Sequence, residues 1–115
     1  MTEAELNIRI RKGESFLLAA DGQFLGRLSS NPYLSDGVMN EYGSYGSKYS
    51  STSIFNNYSR YGSEYSHLSP FNQFTQTPPR IYFRGNLVGY LSVNQFVSHR
   101  LDPHQLFDYI NKNGL

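Results

Sequence analysis

The sequence predicts a mostly β protein of the α+β class, in which two related β-hairpins flank an array of repeated turns and one C-terminal helix covers the core. Three observations support this prediction. Alanine occurs three times in 115 residues, whereas Ser, Gly and Asn make up nearly a third. A 16-residue unit repeats in the centre of the chain, and a second repeat places one copy on each side of that centre. A composition poor in alanine and rich in turn formers disfavours helices and favours turns and short strands.

Length and composition limit the organisation and the partners. A chain of this length is expected to form a single domain, residues 1–115. Its net charge of +1 does not favour nucleic acid or an anionic membrane as partner. The absence of cysteine excludes a disulfide scaffold, a thiol nucleophile and a Cys-based zinc site. The N-terminal segment lacks the basic and apolar regions of a signal peptide, so a cytoplasmic location is expected.

Residues 1–30 are predicted to form N-terminal strands. Leu6, Ile8 and Ile10 alternate with polar residues, which is typical of a half-buried strand, and Lys12-Gly13 can turn the chain toward the apolar segment Phe16–Leu18. With the hairpin that follows, this pattern predicts a first sheet of three strands.

The second repeat, here called the hairpin repeat, predicts two related hairpins. Residues 21–33 align with residues 84–96, and each copy follows an apolar segment. Asp21-Gly22 and Gly85-Asn86 are the expected turns, the second within a hairpin over residues 78–97. Gly26 and Gly89 occupy the same position in the second strand of each copy, which indicates a bulge or a close backbone approach.

Residues 31–77 contain the 16-residue repeats. Asn40–Phe55 and Asn56–Phe71 are identical at nine of sixteen positions, a third copy opens at Asn72 and stops, and a half-copy opens at Asn31. A Gly-Ser-Tyr bias is also found in disordered, prion-like segments, but disorder does not require residues to recur in register. We therefore expect an ordered stack of turns. The asparagines expected to hold these turns and their counterpart in the second hairpin are Asn31, Asn40, Asn56, Asn72 and Asn94.

A C-terminal helix is predicted over residues 102–113. Asp102 is a suitable N-cap, Pro103 suits the first helical position, and Gln105 occupies the capping-box position. Leu106, Phe107 and Ile110 share one face, and Gly114 can end the helix.

Residues 20–96 resemble a widespread bacterial family of short proteins and domains. The resemblance depends on the segment Phe24–Tyr33, on the repeated Tyr-Gly-Ser-x-Tyr-Ser-x-x-Ser-x-Phe-Asn units and on the segment Gly85–Leu91. It implies no particular activity, and similar stretches often occur in exported proteins. The sequence departs from the family pattern at the residue after the repeated asparagine, where proline is common and this chain has Glu41, Asn57 and Gln73.

The candidate binding residues lie in the repeats. Aromatic rings beside Asn and Ser are typical of saccharide-binding surfaces and of protein contacts, because a ring supplies area at little entropic cost. The same rings could instead form the core of the array, and alternate rings of one unit could do both. His67 replaces the Ser51 of the first copy. The candidates are Tyr42, Tyr45, Tyr49, Tyr58, Tyr61, Tyr65 and His67.

The sequence shows no catalytic constellation and indicates no cofactor and no metal site. His99, Asp102 and His104 lie close together, but their spacing matches no compact ligand motif. No Gly-x-Ser-x-Gly elbow and no phosphate-binding loop occur. Basic residues outside the repeats leave single-stranded nucleic acid as a minor alternative. These basic residues are Arg9, Arg11, Lys12, Arg80, Arg84 and Arg100.

The sequence therefore predicts a non-enzymatic module for protein interaction or self-association. The alternative is a saccharide-binding module that uses exposed tyrosine rings, and a hydrolase is the third hypothesis.

Overall fold

A computed structural model describes all of residues 1–115 as an α+β domain with one five-stranded sheet and two α-helices. The sheet order is β2-β1-β3-β4-β5, with antiparallel pairs except for the parallel pair β4–β5. Turns and irregular segments, rather than helices or strands, account for most of the chain. The elements are α1 (Glu3–Arg11), β1 (Phe16–Leu18), β2 (Phe24–Arg27), β3 (Arg80–Phe83), β4 (Asn86–Leu91), β5 (Arg100–Leu101), a 3-10 turn (Pro103–Gln105) and α2 (Leu106–Lys112).

The predicted N-terminal strand over residues 6–10 is wrong, because this segment is helix α1. The Thr2 hydroxyl caps the helix by accepting a hydrogen bond from the Glu5 amide at 3.2 Å. Acidic residues in the first turn and basic residues in the last turn complement the helix dipole. Leu6 and Ile10, four residues apart, pack on the sheet, whereas Ile8 is exposed. The alternation of Leu6, Ile8 and Ile10 with polar residues is so short that it also fits a helix. It therefore does not distinguish strand from helix, whereas the Thr2 cap favours the helix.

The two predicted hairpins are present and lie side by side, because β1 pairs with β3 in the centre of the sheet. Asp21-Gly22 lies in the first turn, between β1 and β2. The second turn is formed by Arg84 and Gly85, one residue earlier than predicted, and both have positive φ angles of 49° and 85°. The predicted three-stranded first sheet is thus replaced by a continuous sheet that both hairpins share.

Both hairpins carry a β-bulge at the same position of the hairpin repeat. In the first hairpin Leu17 pairs with Gly26 and Leu18 with Phe24, so Leu25 has no partner. In the second hairpin Val88 is left without a partner at the corresponding position. Atoms from other segments lie close to the glycine that follows each bulge. A Cβ at Gly26 would lie 2.5 Å from the Val38 side chain, and a Cβ at Gly89 would collide with the carbonyl oxygen of His99.

The hairpin repeat extends further along the chain than the sequence comparison indicates. After each hairpin the chain returns and forms a parallel pairing with the second strand. In the first copy this is a single bridge, Arg27 to Gly37, and in the second it is the pair of strands β4 and β5, in which Tyr90 pairs with Arg100. In the alignment of the two hairpins, Arg27 and Gly37 correspond to Tyr90 and Arg100. The second copy of the hairpin repeat therefore ends near Leu101 rather than at residue 97.

Core residues lie on both faces of the sheet. On one face, α1 covers a small cluster formed by Phe16, Leu18, Phe24 and Tyr82. On the other face, side chains from the sheet pack with the turn array and with α2. This larger cluster contains Leu17, Ala19, Leu25, Leu28, Val38, Ile54, Tyr61, Ile81, Leu91, Leu106 and Ile110. The array therefore covers one side of this larger cluster.

The array is a chain of successive turns, most of them closed by a backbone hydrogen bond to the carbonyl three residues earlier. One unbroken run of these bonds links residues 31, 34, 37, 40 and 43, and another links residues 47, 50, 53, 56, 59 and 62. Asparagine side chains strengthen the run. The Nδ2 atoms of Asn40 and Asn56 donate to the carbonyl oxygens of Leu34 and Ser50, six residues earlier. The side chains of Asn40 and Asn56 thus bond to the local backbone of their turns.

Replacing Asn56 with alanine should lower the free energy of unfolding by about 1 kcal/mol, the usual cost of a lost cap. Its side chain accepts from the Tyr58 amide and donates to the Ser50 carbonyl, each at 3.0 Å. Urea denaturation measures the effect, and Asn57→Ala at the exposed neighbouring position is the control. Equal stability of the Asn56→Ala and Asn57→Ala proteins would contradict this prediction.

The C-terminal helix forms close to the predicted boundaries, but its first turn is a 3-10 turn. The Asp102 carboxylate caps that turn by accepting from the His104 amide at 2.9 Å, and this bond is the largest influence holding the pKa of Asp102 below its ordinary value. Gln105 makes no capping-box bond. Leu106 and Ile110 are buried, whereas Phe107 is partly exposed and lies beside Phe55.

Candidate interaction surface

The tyrosines of each repeat point in two directions. The first and third tyrosines of the unit, such as Tyr58 and Tyr65, are exposed, while the second is turned toward the core. Seven rings form the exposed set, and their side chains are between 75% and 97% exposed. These outward aromatic residues are Tyr33, Tyr42, Tyr49, Tyr58, Tyr65, Phe74 and Phe96.

One local hydrogen-bond pattern positions every outward aromatic residue. The amide of each one donates to the side-chain oxygen of the Asn or Ser two residues earlier, as Tyr58 does to Asn56 and Phe96 does to Asn94. The same bond holds the other five rings. Because the bond uses the backbone of the aromatic residue, the turn fixes the position of its Cα while its ring remains free to contact a partner.

Neighbouring outward rings line shared grooves. Tyr49 and Tyr58, nine residues apart, line a groove of about 430 Å³ together with Phe55. Tyr65 and Phe74, at the same spacing, line a groove of about 600 Å³. His67 is exposed and also lines this second groove, which places this candidate beside two outward rings.

The remaining two candidates, Tyr45 and Tyr61, are structural. The Tyr45 ring packs edge-on against Phe24, with 4.9 Å between the ring centroids. Tyr61 is 7% exposed, and its hydroxyl donates to Asp21 Oδ2 at 2.8 Å, so it ties the array to the turn of the first hairpin. Burial raises the pKa of Tyr61, and the Asp21 carboxylate raises it further. The structure thus separates Tyr45 and Tyr61 from the five exposed candidates.

Tyr61→Phe is expected to cost about 1 kcal/mol of stability at neutral pH through loss of this hydrogen bond. Because the folded pKa is raised, the contribution of the hydroxyl is complete below the unfolded pKa of about 10 and is lost as the pH rises through the folded value. The stability difference between parent and variant should therefore shrink above about pH 10. Denaturant titrations from pH 7 to 11 measure it, with Tyr58→Phe as the exposed control. A difference that stays constant or grows with pH would contradict the prediction.

The polar groups outside the array take part in structural contacts. No group of three His, Asp or Glu residues is placed to hold a metal ion. His104 Nδ1 lies 2.8 Å from the Asp102 carboxylate, but this pair caps a helix and both side chains are more than a third exposed. Arg9 is paired with Glu14 and Asp36 at 2.7 and 3.2 Å. Neither α-helix has the length and apolar character needed to cross a membrane.

Sequence reasoning missed three of the outward rings. Tyr33 is the equivalent of Tyr49 in the register of the 16-residue unit, and Phe74 is the equivalent of Tyr58. Phe96 matches Tyr33 in the hairpin repeat. The signal common to these three is an aromatic residue two positions after asparagine. This spacing locates the turn but does not by itself determine exposure, because Tyr61 lies at the same distance after Ser59 and is buried. That signal was present in the incomplete copies, where the repeat itself is hardest to recognise.

Comparisons of this chain with protein-family models, with curated proteins and with solved structures give no match.

Proposed function

We propose that this chain is a non-enzymatic interaction module that associates with further copies of itself through the outward aromatic residues. The observation that carries the proposal is that these rings are almost completely exposed, although neither the turns nor the core depends on their side chains. Their turns are closed by Asn and Ser oxygens and by main-chain amides, and the core is built from other side chains.

The composition around the rings supports a protein contact. Residues 31–77 carry five charged side chains, namely Asp36, Glu41, Lys48, Arg60 and Glu64. Sparse charge, exposed aromatic rings and a rim of Ser, Asn and Gly are typical of interface cores and of antibody combining sites. A ring of this size buries roughly 150–250 Å², so a few rings supply much of the roughly 800 Å² that each partner contributes to a standard interface.

The edges of the sheet contribute less to such a contact than the rings do. The outer edge of β2 is occupied in part by the bridge from Arg27 to Gly37, and the opposite edge strand, β5, has only two residues. Short or covered edges resist strand addition. The proposal therefore depends on the array rather than on the edges of the sheet.

Sedimentation velocity across a range of protein concentrations tests the proposal. The parent protein should sediment as larger species with rising concentration, and a variant with Tyr42, Tyr49, Tyr58 and Tyr65 replaced by serine should remain monomeric. Circular dichroism should show the same fold in both, because serine keeps the main-chain amide that closes each turn.

The matched control replaces exposed apolar residues outside the array. Leu87 and Val88 on β4 are about half exposed, and the double variant Leu87→Ser/Val88→Ser should associate as the parent does. A parent protein that is monomeric at every concentration, or a tyrosine variant that associates as strongly as the parent, would refute the proposal.

A further inference from the structure

A groove lies where the array ends, and of the seven outward rings only Phe74 and Phe96 line it. It has a volume of about 790 Å³ and lies between residues 73–78, at the end of the array, and residues 93–98, which connect β4 to β5. Tyr90 of β4 also lines it. This volume is within the range of pockets that bind small molecules.

None of the residues that line this groove carries a charge, and three of them are exposed glutamines. Gln73, Gln76 and Gln95 each offer an amide NH₂ donor and a carbonyl acceptor. Asn94, by contrast, is buried, and both polar atoms of its side chain are bonded within the protein: Nδ2 donates to the Thr75 carbonyl at 2.8 Å and Oδ1 accepts from the Phe96 amide at 3.1 Å. The glutamines are therefore the groups available to a ligand, and Asn94 fixes the loop that carries Gln95 and Phe96.

Two phenyl rings line the same groove, and a hydrogen bond fixes the backbone of each residue. Phe74 is 75% exposed and Phe96 is 96% exposed, and their amides donate to Asn72 and Asn94, two asparagines that are themselves buried. The negative face of an aromatic ring attracts the polarised C–H groups of a sugar ring, while side-chain amides exchange paired hydrogen bonds with its hydroxyls.

We infer that this groove binds a neutral oligosaccharide. An anionic ligand or a nucleic acid would need basic side chains, and none lines the groove. The adjoining groove of about 600 Å³ shares Gln73, Phe74 and Val93 and adds Glu64, whose carboxylate disfavours an anionic sugar. Because the two grooves adjoin at these shared residues, the site suits a chain of sugar units better than a single one.

Phe74 and Phe96 also belong to the outward aromatic residues, but the two proposals are tested by different variants: the groove variant changes Gln95 and Phe96, whereas the association variant changes four tyrosines. Native affinity electrophoresis tests saccharide binding with four neutral polysaccharides in the gel: hydroxyethylcellulose, laminarin, xyloglucan and glucomannan. Carboxymethylcellulose serves as the anionic comparison. We expect the parent protein to be retarded by at least one neutral polysaccharide.

The decisive variant is Gln95→Ala/Phe96→Ser, which changes two exposed side chains and leaves their main-chain hydrogen bonds in place. Its retardation should correspond to an affinity at least tenfold weaker, with an unchanged circular dichroism spectrum. The control Tyr42→Ser/Tyr49→Ser should be retarded like the parent. The inference is overturned if no neutral polysaccharide retards the parent, if only carboxymethylcellulose does, or if the groove variant binds as the parent does.

Discussion

Replacing Leu91 with alanine is expected to lower the free energy of unfolding by about 2–5 kcal/mol, the usual cost of truncating a fully buried leucine. Leu91 is 0% exposed in β4 and belongs to the core cluster between the sheet, the array and α2. The loss combines the transfer free energy of the removed methyl groups with the cavity they leave. Chemical denaturation and the melting temperature measure it.

Leu28 provides a matched second site for the same test. It occupies the equivalent position in the first copy of the hairpin repeat and is 2% exposed, so Leu28→Ala should cost a similar amount. Leu87→Ala, at a half-exposed position of β4, should cost less than about 1 kcal/mol. A Leu91→Ala protein no less stable than the Leu87→Ala control would show that the two hairpins do not share a core.

Gly62→Ala is expected to destabilise the protein by about 3 kcal/mol or more, because the added methyl group has no space. A Cβ at Gly62 would collide with the Asn56 carbonyl oxygen and lie 2.6 Å from that of Ile54. These are main-chain atoms of adjacent turns, so relief requires the turns to separate. Gly46, the same residue of the preceding unit, faces the equivalent carbonyl of Asn40. The measurement is a denaturation curve, or the soluble yield if the variant fails to fold.

Gly43→Ser is the control for the glycine prediction. Position 43 corresponds to Ser59 in the next repeat, and the nearest atoms to a Cβ there are 3.2 Å away. This variant should stay within about 1 kcal/mol of the parent. If Gly62→Ala were as well tolerated as Gly43→Ser, the turns of the array would be more loosely stacked than the structure shows.

Short-range chemistry made several features predictable from the sequence. An Asn or Ser oxygen reaches the amide two residues later, so Asn40 and Asn56 identify their turns without information from the rest of the chain. The hairpin repeat likewise predicted a bulge or a close backbone approach at Gly26 and Gly89, and the structure has a bulge and a close contact at both positions. Helix α1 was missed, although the spacing of Thr2 and Glu5 is a helix-start signal.

The sequence by itself determined where the turns lie, because each is closed by side-chain and main-chain groups only a few residues apart. The tertiary structure alone decided which rings face outward. Tyr58 and Tyr61 are the same residue type in the same repeat, but only Tyr61 lies where the array packs on the sheet, and its hydroxyl meets Asp21, forty residues earlier. The groove of about 790 Å³ has the same origin, since it is formed by residues 73–78 and residues 93–98, which are distant in the sequence. Contacts between distant segments depend on how the layers pack, and a local pattern does not encode that packing.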